Sequence, residues 1–437
     1  MIAEFKVKNY LSVRSEQCLS FLATADDSMK EEYSIEVKEG VRLLKLAMIY
    51  GSNASGKTNI LLALSFFQDL MTDIPKDKTE KISVMPFLLD MTSRKETTDF
   101  SMDFYLNRER YVLSLKLDEF RIYEEKLVCY PATQPAMLYR RTYNKQTDSS
   151  EIEFGKKLEL SKKSQLVVSG NTINNCSVIA AFGKSNMEST RLNEVYEFFS
   201  GYISEVLRPT TSLLSYIKRR LDEDRDNSLK LFLKNILKAS DFNVSELKLN
   251  QEEKNITPEM EKVIQSAPIP DEAKKEMLQK GKITNYEILF SHQTDNGVFD
   301  LPEELESRGT IRFMGMAVIL KQLLEDGRIV AIDEVETSLH VELLSYFLKV
   351  FLANSEKSAQ LIVTTHDINL LNESFIRRDA VWFTDKDSQG QTQLVRLSSL
   401  GLHKNLSPYH AYKQGKLVKL PFFDSIYLKE NSLCDQK

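Results

Sequence analysis

The sequence predicts an α/β fold in which a buried parallel sheet is begun, interrupted by an antiparallel β-rich lobe and a helical lobe, and resumed near the end of the chain. Three observations predict it. A continuously apolar run at residues 43–50 leads into a glycine-rich loop and then into apolar residues at helical spacing. Two further buried-strand runs, residues 328–332 and 360–363, return nearly 280 residues later, each followed by chemistry-bearing side chains. Between them lie β-patterned text from Phe100 to about Phe154 and helix-patterned, charged text from about Arg191 to Lys282.

The bulk properties set the frame. At 437 residues the chain can hold two or three domains, or one large domain with insertions. Its formal net charge of -5 marks no global polyanion binder, so any such site must be local. Cys18, Cys129, Cys176 and Cys434 are far apart and form no C-x-x-C pair, which argues against a disulfide framework or a zinc knuckle. The amino terminus lacks an apolar signal core, and no apolar run approaches the ~20 residues of a membrane span. A soluble cytoplasmic protein without a membrane partner is expected.

In chain order, residues 2–13 alternate as a strand, with Phe5 and Val7 opposite Lys6 and Lys8. After the glycine loop, Ile60, Leu61, Leu64 and Phe67 define one helical face. The β-patterned lobe contains DFSMDFYL, RYVLSLKL and KLVCY. The helical lobe contains LNEVYEFFSGYISEVL, TSLLSYIKRRLDED and SLKLFLKNILKASDF, without sustained heptads, so long coiled-coil arms are not expected. The resulting division is residues 1–90 with 283–403 as a discontinuous head, 91–190 as a β-rich lobe, 191–282 as a helical insertion and 404–437 as a segment packing on the head.

The loop GSNASGKT fits G-x-x-x-x-G-K-[ST]. Gly51, Ser52, Asn53, Ala54, Ser55, Gly56, Lys57, Thr58 and Asn59 form the expected ATP cradle. Its glycines permit a tight backbone whose N–H groups converge on phosphate, and the following helix presents its positive dipole end to the same oxygens. Lys57 is placed to bridge β- and γ-phosphates, and Thr58 to ligand Mg²⁺. The flanking strand and helix supply the context the motif needs.

A second acidic site follows in RIVAIDEVETSLH, where Asp333 and Glu334 end an apolar strand. Asp333 is expected to hold Mg²⁺ directly or through water, and Glu334 to orient and deprotonate an attacking water. Paired acids at this place favour hydrolysis over transfer of phosphate to a substrate. A guanine-reading N-K-x-D is missing, since TDKD at residues 384–387 has the wrong order, and Asp333 follows Lys57 by 276 residues, far beyond one small motor domain.

The remaining motifs occur in the order of the ABC-type ATPases. Ser307, Arg308 and Gly309 in LPEELESRGTIRFMGMAVIL resemble the S-x-G core of a signature motif, His366 in LIVTTHDINLL resembles the switch histidine, and VETSLH at residues 335–340 resembles a D-loop. A serine and glycine at a helix start offer a hydroxyl, a free N–H and a dipole end to an anion. FKVKNYLSV, MPFLLD with TTDFSMDFYL, ILKASDFNVSEL and DEVETSLH resemble more closely the OLD-like and RloA-type class, whose members are often encoded in bacterial anti-phage abortive-infection systems. The resemblance implies an ABC-type P-loop ATPase head using ATP and Mg²⁺. It further implies a homodimer, or a higher even-numbered homo-oligomer, closed by an ATP sandwich in which Ser307, Arg308 and Gly309 serve the partner's nucleotide. Glu334 and His366 are the implied catalytic residues.

Two departures from that class stand out. The lid glutamine has no clear position, Gln68 being placed on the loop helix. Only 71 residues follow His366, too few for the downstream nuclease domain of OLD proteins, and Asp385 and Asp387 read as a turn before a strand. The effector, a nuclease or toxin of the RloB type, is therefore expected on a separate polypeptide, with a nucleic acid or phage protein as possible trigger. An SMC-like DNA-clamping ATPase and a non-hydrolysing scaffold that holds a toxin are the alternatives. The segment KNLSPYHAYKQGKLVKLPFFD and the IKRR cluster at residues 217–220 could grip nucleic acid, but solvated or packing faces explain their charge equally well.

Overall fold

The computed structural model describes residues 1–267, 271–403 and 406–417. Lys404, Lys419, Phe422, Phe423 and Cys434 lie outside the described residues. Chain contacts divide the molecule into two compact units, Met1–Pro209 with Asp326–Glu336 and Leu352–Lys437, and Thr210–Glu325 with Thr337–Phe351.

The first unit is organised by a five-stranded sheet in the order Ile329–Ile332, Gln360–Thr365, Leu46–Gly51, Val381–Lys386 and Thr392–Arg396. The first four strands run parallel and only the last is antiparallel. Every residue of Ile329–Ile332, Leu46–Gly51 and Gln360–Thr365 is buried, which is why these segments read as continuous apolar runs rather than as alternating ones. Registry aligns the carboxyl ends: Ile332 pairs with Val363, Thr365 with Tyr50, and Thr384 with Gly51. Loops leaving one end of such a sheet are where ligands bind.

Beside it lies a seven-stranded antiparallel sheet in the order Ser149–Phe154, Ala136–Asn144, Ile122–Tyr130, Glu109–Leu117, Thr98–Leu106, Ile2–Lys8 and Gln17–Ser20. The amino-terminal strand, grouped by the sequence with the head, thus pairs with the β-rich lobe, Phe5 standing opposite Met102 and Val7 opposite Phe100. The helix Lys57–Thr72 packs on this sheet through aromatic rings, Phe67 lying 5.8 Å from Phe5 and 5.7 Å from Phe100 between centroids. Phe104 stacks on Phe198 at 4.6 Å. Such ring pairs add about 0.5–1.5 kcal/mol beyond the area they bury, so the loop helix is firmly seated from behind.

The second unit contains a three-stranded antiparallel sheet, Val244–Asn255, Lys282–Thr294 and Gly297–Pro302, and the helix Arg308–Asp326. The stretch 191–282, read from sequence as helical, therefore also holds a twelve-residue strand, Val244–Asn255. Its sequence VSELKLNQEEKN is rich in residues that favour helices, and its pairing with Lys282–Thr294 along eleven registered positions overrides that preference. The helices between those two strands, Pro258–Ser266 and Asp271–Lys280, have nine and ten residues, about 15 Å each. No helix among the described residues is long and apolar enough to cross a membrane.

Candidate functional site

Gly51 ends its strand in a place where a Cβ would lie 2.3 Å from Thr384 Oγ1 and 2.5 Å from Ser55 Oγ, so only glycine fits. Gly56 adopts a φ of 103°, and a Cβ there would lie 2.0 Å from Thr392 Oγ1. The loop between them is buttressed from outside the motif. Ser55 Oγ lies 2.6 Å from Thr384 Oγ1, Thr392 Oγ1 donates to Ser55 O at 2.9 Å, and Asn59 Nδ2 donates to Ser12 Oγ at 2.6 Å. Thr384, Thr392 and Ser12 are contributions the sequence reading missed, because nothing local marks a threonine on a remote strand as a loop support.

Lys57 is buried and donates to Gly51 O at 2.9 Å and Ser52 O at 3.2 Å, with His366 Nδ1 at 3.1 Å. An ammonium can only donate, so Nδ1 accepts and the proton of neutral His366 resides on Nε2. That proton points to Glu334 Oε1, 3.1 Å away. Lys57, His366 and Glu334 thus form one relay across the loop. Burial lowers the Lys57 pKa, and the carboxylates of Glu334, Asp333 and Glu336 partly restore it.

Asp333 sits at the carboxyl end of its strand, where three groups fix it. Thr364 Oγ1 donates to its Oδ1 at 2.5 Å, Thr58 Oγ1 donates to its Oδ2 at 3.0 Å, and its own N–H donates to Leu207 O at 2.8 Å. The last bond belongs to an extended segment that pairs with the outer edge of the strand through Ile203 opposite Ile329 and Leu207 opposite Ile332. Two adjacent oxygen ligands of octahedral Mg²⁺ stand about 2.9 Å apart, given bonds of about 2.0–2.1 Å. The Thr58 and Asp333 oxygens match that separation and are the hard donors the ion prefers, so these two residues fit a Mg²⁺ site.

Glu334 has a left-handed φ of 47°, unusual for a side-chain-bearing residue. Its N–H is held by Thr364 Oγ1 at 2.8 Å, and Glu336 Oε1 accepts the His366 N–H at 2.6 Å. Strain of this kind costs on the order of 1 kcal/mol and persists where the surroundings enforce it. Together these side chains face an open cleft of about 610 Å³ lined by residues 53–59, Glu334, His366 and Lys386. Its size lies within the roughly 300–1,000 Å³ of small-molecule sites.

Ser307, Arg308 and Gly309 do not line this cleft. They belong to the second unit, where Ser307 Oγ accepts the Thr310 N–H at 3.0 Å as the cap of the helix Arg308–Asp326. A Cβ on Gly309 would lie 3.1 Å from Ser338 O, so the glycine lets that helix start approach the end of the residue 335–340 loop. His340 in that loop accepts the Leu343 and Leu344 N–H groups through its carbonyl at a helix start.

Gln68 is buried, and its Nε2 donates to Phe199 O and Ile203 O at 3.1 and 2.8 Å, a core role rather than that of a metal lid. Asp385 lies within the strand Val381–Lys386, opposite Gln393, rather than in a turn, and Asp387 holds the turn that follows by accepting the Gln389 and Gln391 N–H groups. Asn9, at the centre of FKVKNYLSV, accepts the Phe87 N–H and donates to Ser93 O, joining the two amino-terminal segments on which the sequence resemblance rests.

A parallel sheet with a glycine loop, a following helix and a carboxylate-tipped strand at its carboxyl edge defines a mixed α/β P-loop ATPase-type domain. The chain matches the family described as "AAA domain, putative AbiEii toxin, Type IV TA system" over residues 46–372, about three quarters of its length, and belongs to that family. No curated protein matches the chain. Among solved structures it is similar to the SMC head domain from Thermotoga maritima, with 12% identity, 90% of this chain and 98% of that chain covered, and a TM-score of 0.41. It is also similar to the SmcHead bound to the C-winged helix domain of ScpA, with 12% identity, 94% and 99% coverage, and a TM-score of 0.44.

Proposed function

We propose that the chain binds ATP with Mg²⁺ in the cleft, hydrolyses it, and uses the nucleotide to gate association with a second copy. The observation that carries this reading is the convergence of Lys57, Thr58, Glu334 and His366 on the cleft, with Asp333 held behind it by the Thr58 hydroxyl. A phosphate entering the cradle offers Lys57 anionic acceptors in place of two neutral carbonyls, and charge-assisted bonds are about twice as strong. His366, released from Lys57, keeps Glu334 oriented as the base for the attacking water. The γ-phosphate then lacks a donor on its open side, which Ser307 and the Gly309 N–H of another copy supply.

At the level of biology, the chain is proposed as the ATPase regulator of an anti-phage system of the OLD-like/RloA class, acting on a separately encoded nuclease or toxin. The toxin–antitoxin wording of the family description supports that direction. Helices of nine and ten residues at the tip of the insertion favour it over a DNA clamp with long arms. Sedimentation of Glu334→Gln with and without Mg·ATP tests the gating: a shift from monomer to dimer is expected, and a monomer at saturating ATP would refute it. Co-purification with the product of the neighbouring reading frame tests the effector.

A further inference from the structure

We infer that Lys386 is a second cationic nucleotide ligand, binding the α-phosphate end of the nucleotide opposite the hydrolytic residues. This assignment rests on the nucleotide reading of the cleft. Lys386 is the last residue of Val381–Lys386, and it lines the cleft together with residues 53–59. The strand order places it on one side of the P-loop strand, while the strands ending in His366 and Asp333 lie on the other. The P-loop strand Leu46–Gly51 separates the two sides, and Thr384 is registered opposite Gly51.

The polarity of the bound nucleotide follows from this order. The attacking water must meet the γ-phosphate beside Glu334 and His366, and the loop N–H groups enclose the β-phosphate. The remaining phosphate therefore leaves the cradle on the Lys386 side. Among the described residues the Lys386 ammonium forms no ion pair, and its main-chain N–H is taken by Asp385 Oδ1 at 2.8 Å. The nearby carboxylate of Asp387 is committed to its own turn, accepting from Gln389 N, Gln391 N and Gln391 Nε2. A nucleotide carrying three to four negative charges must also enter beside Asp333, Glu334 and Glu336, which makes a cation beyond Lys57 valuable. As a flexible point charge, lysine suits a phosphate that needs neutralising rather than bidentate reading.

The α-phosphate is common to ATP and ADP, so calorimetric titrations of both onto the full chain, with Mg²⁺, give the test. Lys386→Ala is expected to weaken ADP and ATP by the same factor, about tenfold for one charge-assisted bond, and to raise KM for ATP more than it lowers kcat. Inorganic pyrophosphate, which fills the cradle without an α-phosphate, should bind the variant and the parent alike. Lys386→Arg should recover most of the affinity. Unchanged ADP affinity in Lys386→Ala would overturn the assignment, as would a loss confined to ATP. Lys57→Ala in the same titration separates the two readings. Loss there with no change at Lys386 removes Lys386 alone, whereas a parent protein that binds no nucleotide removes the cradle itself and this inference with it.

Discussion

The loop cleft of the first unit and the helix start at residues 307–309 of the second are built in opposite ways. In the cleft, the central side chains have several partners: Lys57 reaches Gly51 O, Ser52 O and His366, and Asp333 reaches Thr58, Thr364 and, through its backbone, Leu207. At the helix start, Ser307 serves one local cap and touches Thr310 Oγ1 at 2.9 Å. The first is a densely hydrogen-bonded cluster on buried strands; the second is a helix start with a single cap. The proposed composite site would divide labour along this line, the cleft supplying the ordered geometry and the completing side only backbone and a hydroxyl.

The sharpest way to break that comparison is Glu334→Gln, which should lower phosphate release by about 10² to 10⁴, or roughly 3–5 kcal/mol of barrier, with ATP binding retained. Comparable turnover would move the base elsewhere. Lys57→Ala comes next: loss of its charge-assisted bonds to phosphate, each about 1.5–3 kcal/mol, should reduce ATP affinity by at least a hundredfold in calorimetry. Ser307→Asp probes the other half. Aspartate keeps a good helix cap but sets a negative charge against the partner's γ-phosphate, so turnover should fall by about ten- to a hundredfold while single-chain ATP binding and melting temperature hold. Equal turnover would remove Ser307 from the site.

Two smaller effects sharpen the contrast. Thr364→Val removes the hydroxyl that bonds both Asp333 and the Glu334 N–H, and leaving those groups short of a partner should cost about 1–3 kcal/mol in denaturant unfolding. Ser307→Ala should cost only about 1 kcal/mol, the value of a single cap. A larger penalty at Ser307 than at Thr364 would contradict the view that preorganisation is concentrated in the cleft.

Much of the cleft was legible in the sequence because its motifs are local. The glycine loop, the strand that precedes it and the helix that follows occupy one unbroken stretch, and Asp333 and Glu334 announce themselves by ending an apolar run. The strand Val244–Asn255 was not legible, since its charged text satisfies helical preference and only a registered partner strand, Lys282–Thr294, decides otherwise. Thr384, Thr392 and Lys386 were equally hidden. Thr384 and Lys386 lie on the strand that enters the sheet beside Leu46–Gly51 and Thr392 begins the strand after it, a placement that no spacing in the chain announces.

By itself, then, the sequence determined the identity of the phosphate loop, the acids at the strand end and the α/β character of the chain, because each depends on residues within a few positions of one another. Tertiary structure alone decided that Ile2–Lys8 joins the antiparallel sheet, that the edge of the Asp333 strand is closed by residues 203–207, and that Lys57, His366 and Glu334 share one relay. Those features arise from hydrogen bonds between segments remote in the chain, from 32 residues apart for His366 and Glu334 to 309 for Lys57 and His366. Their energy is set by which strand ends are brought to the same edge of a sheet, and local pattern carries no record of that.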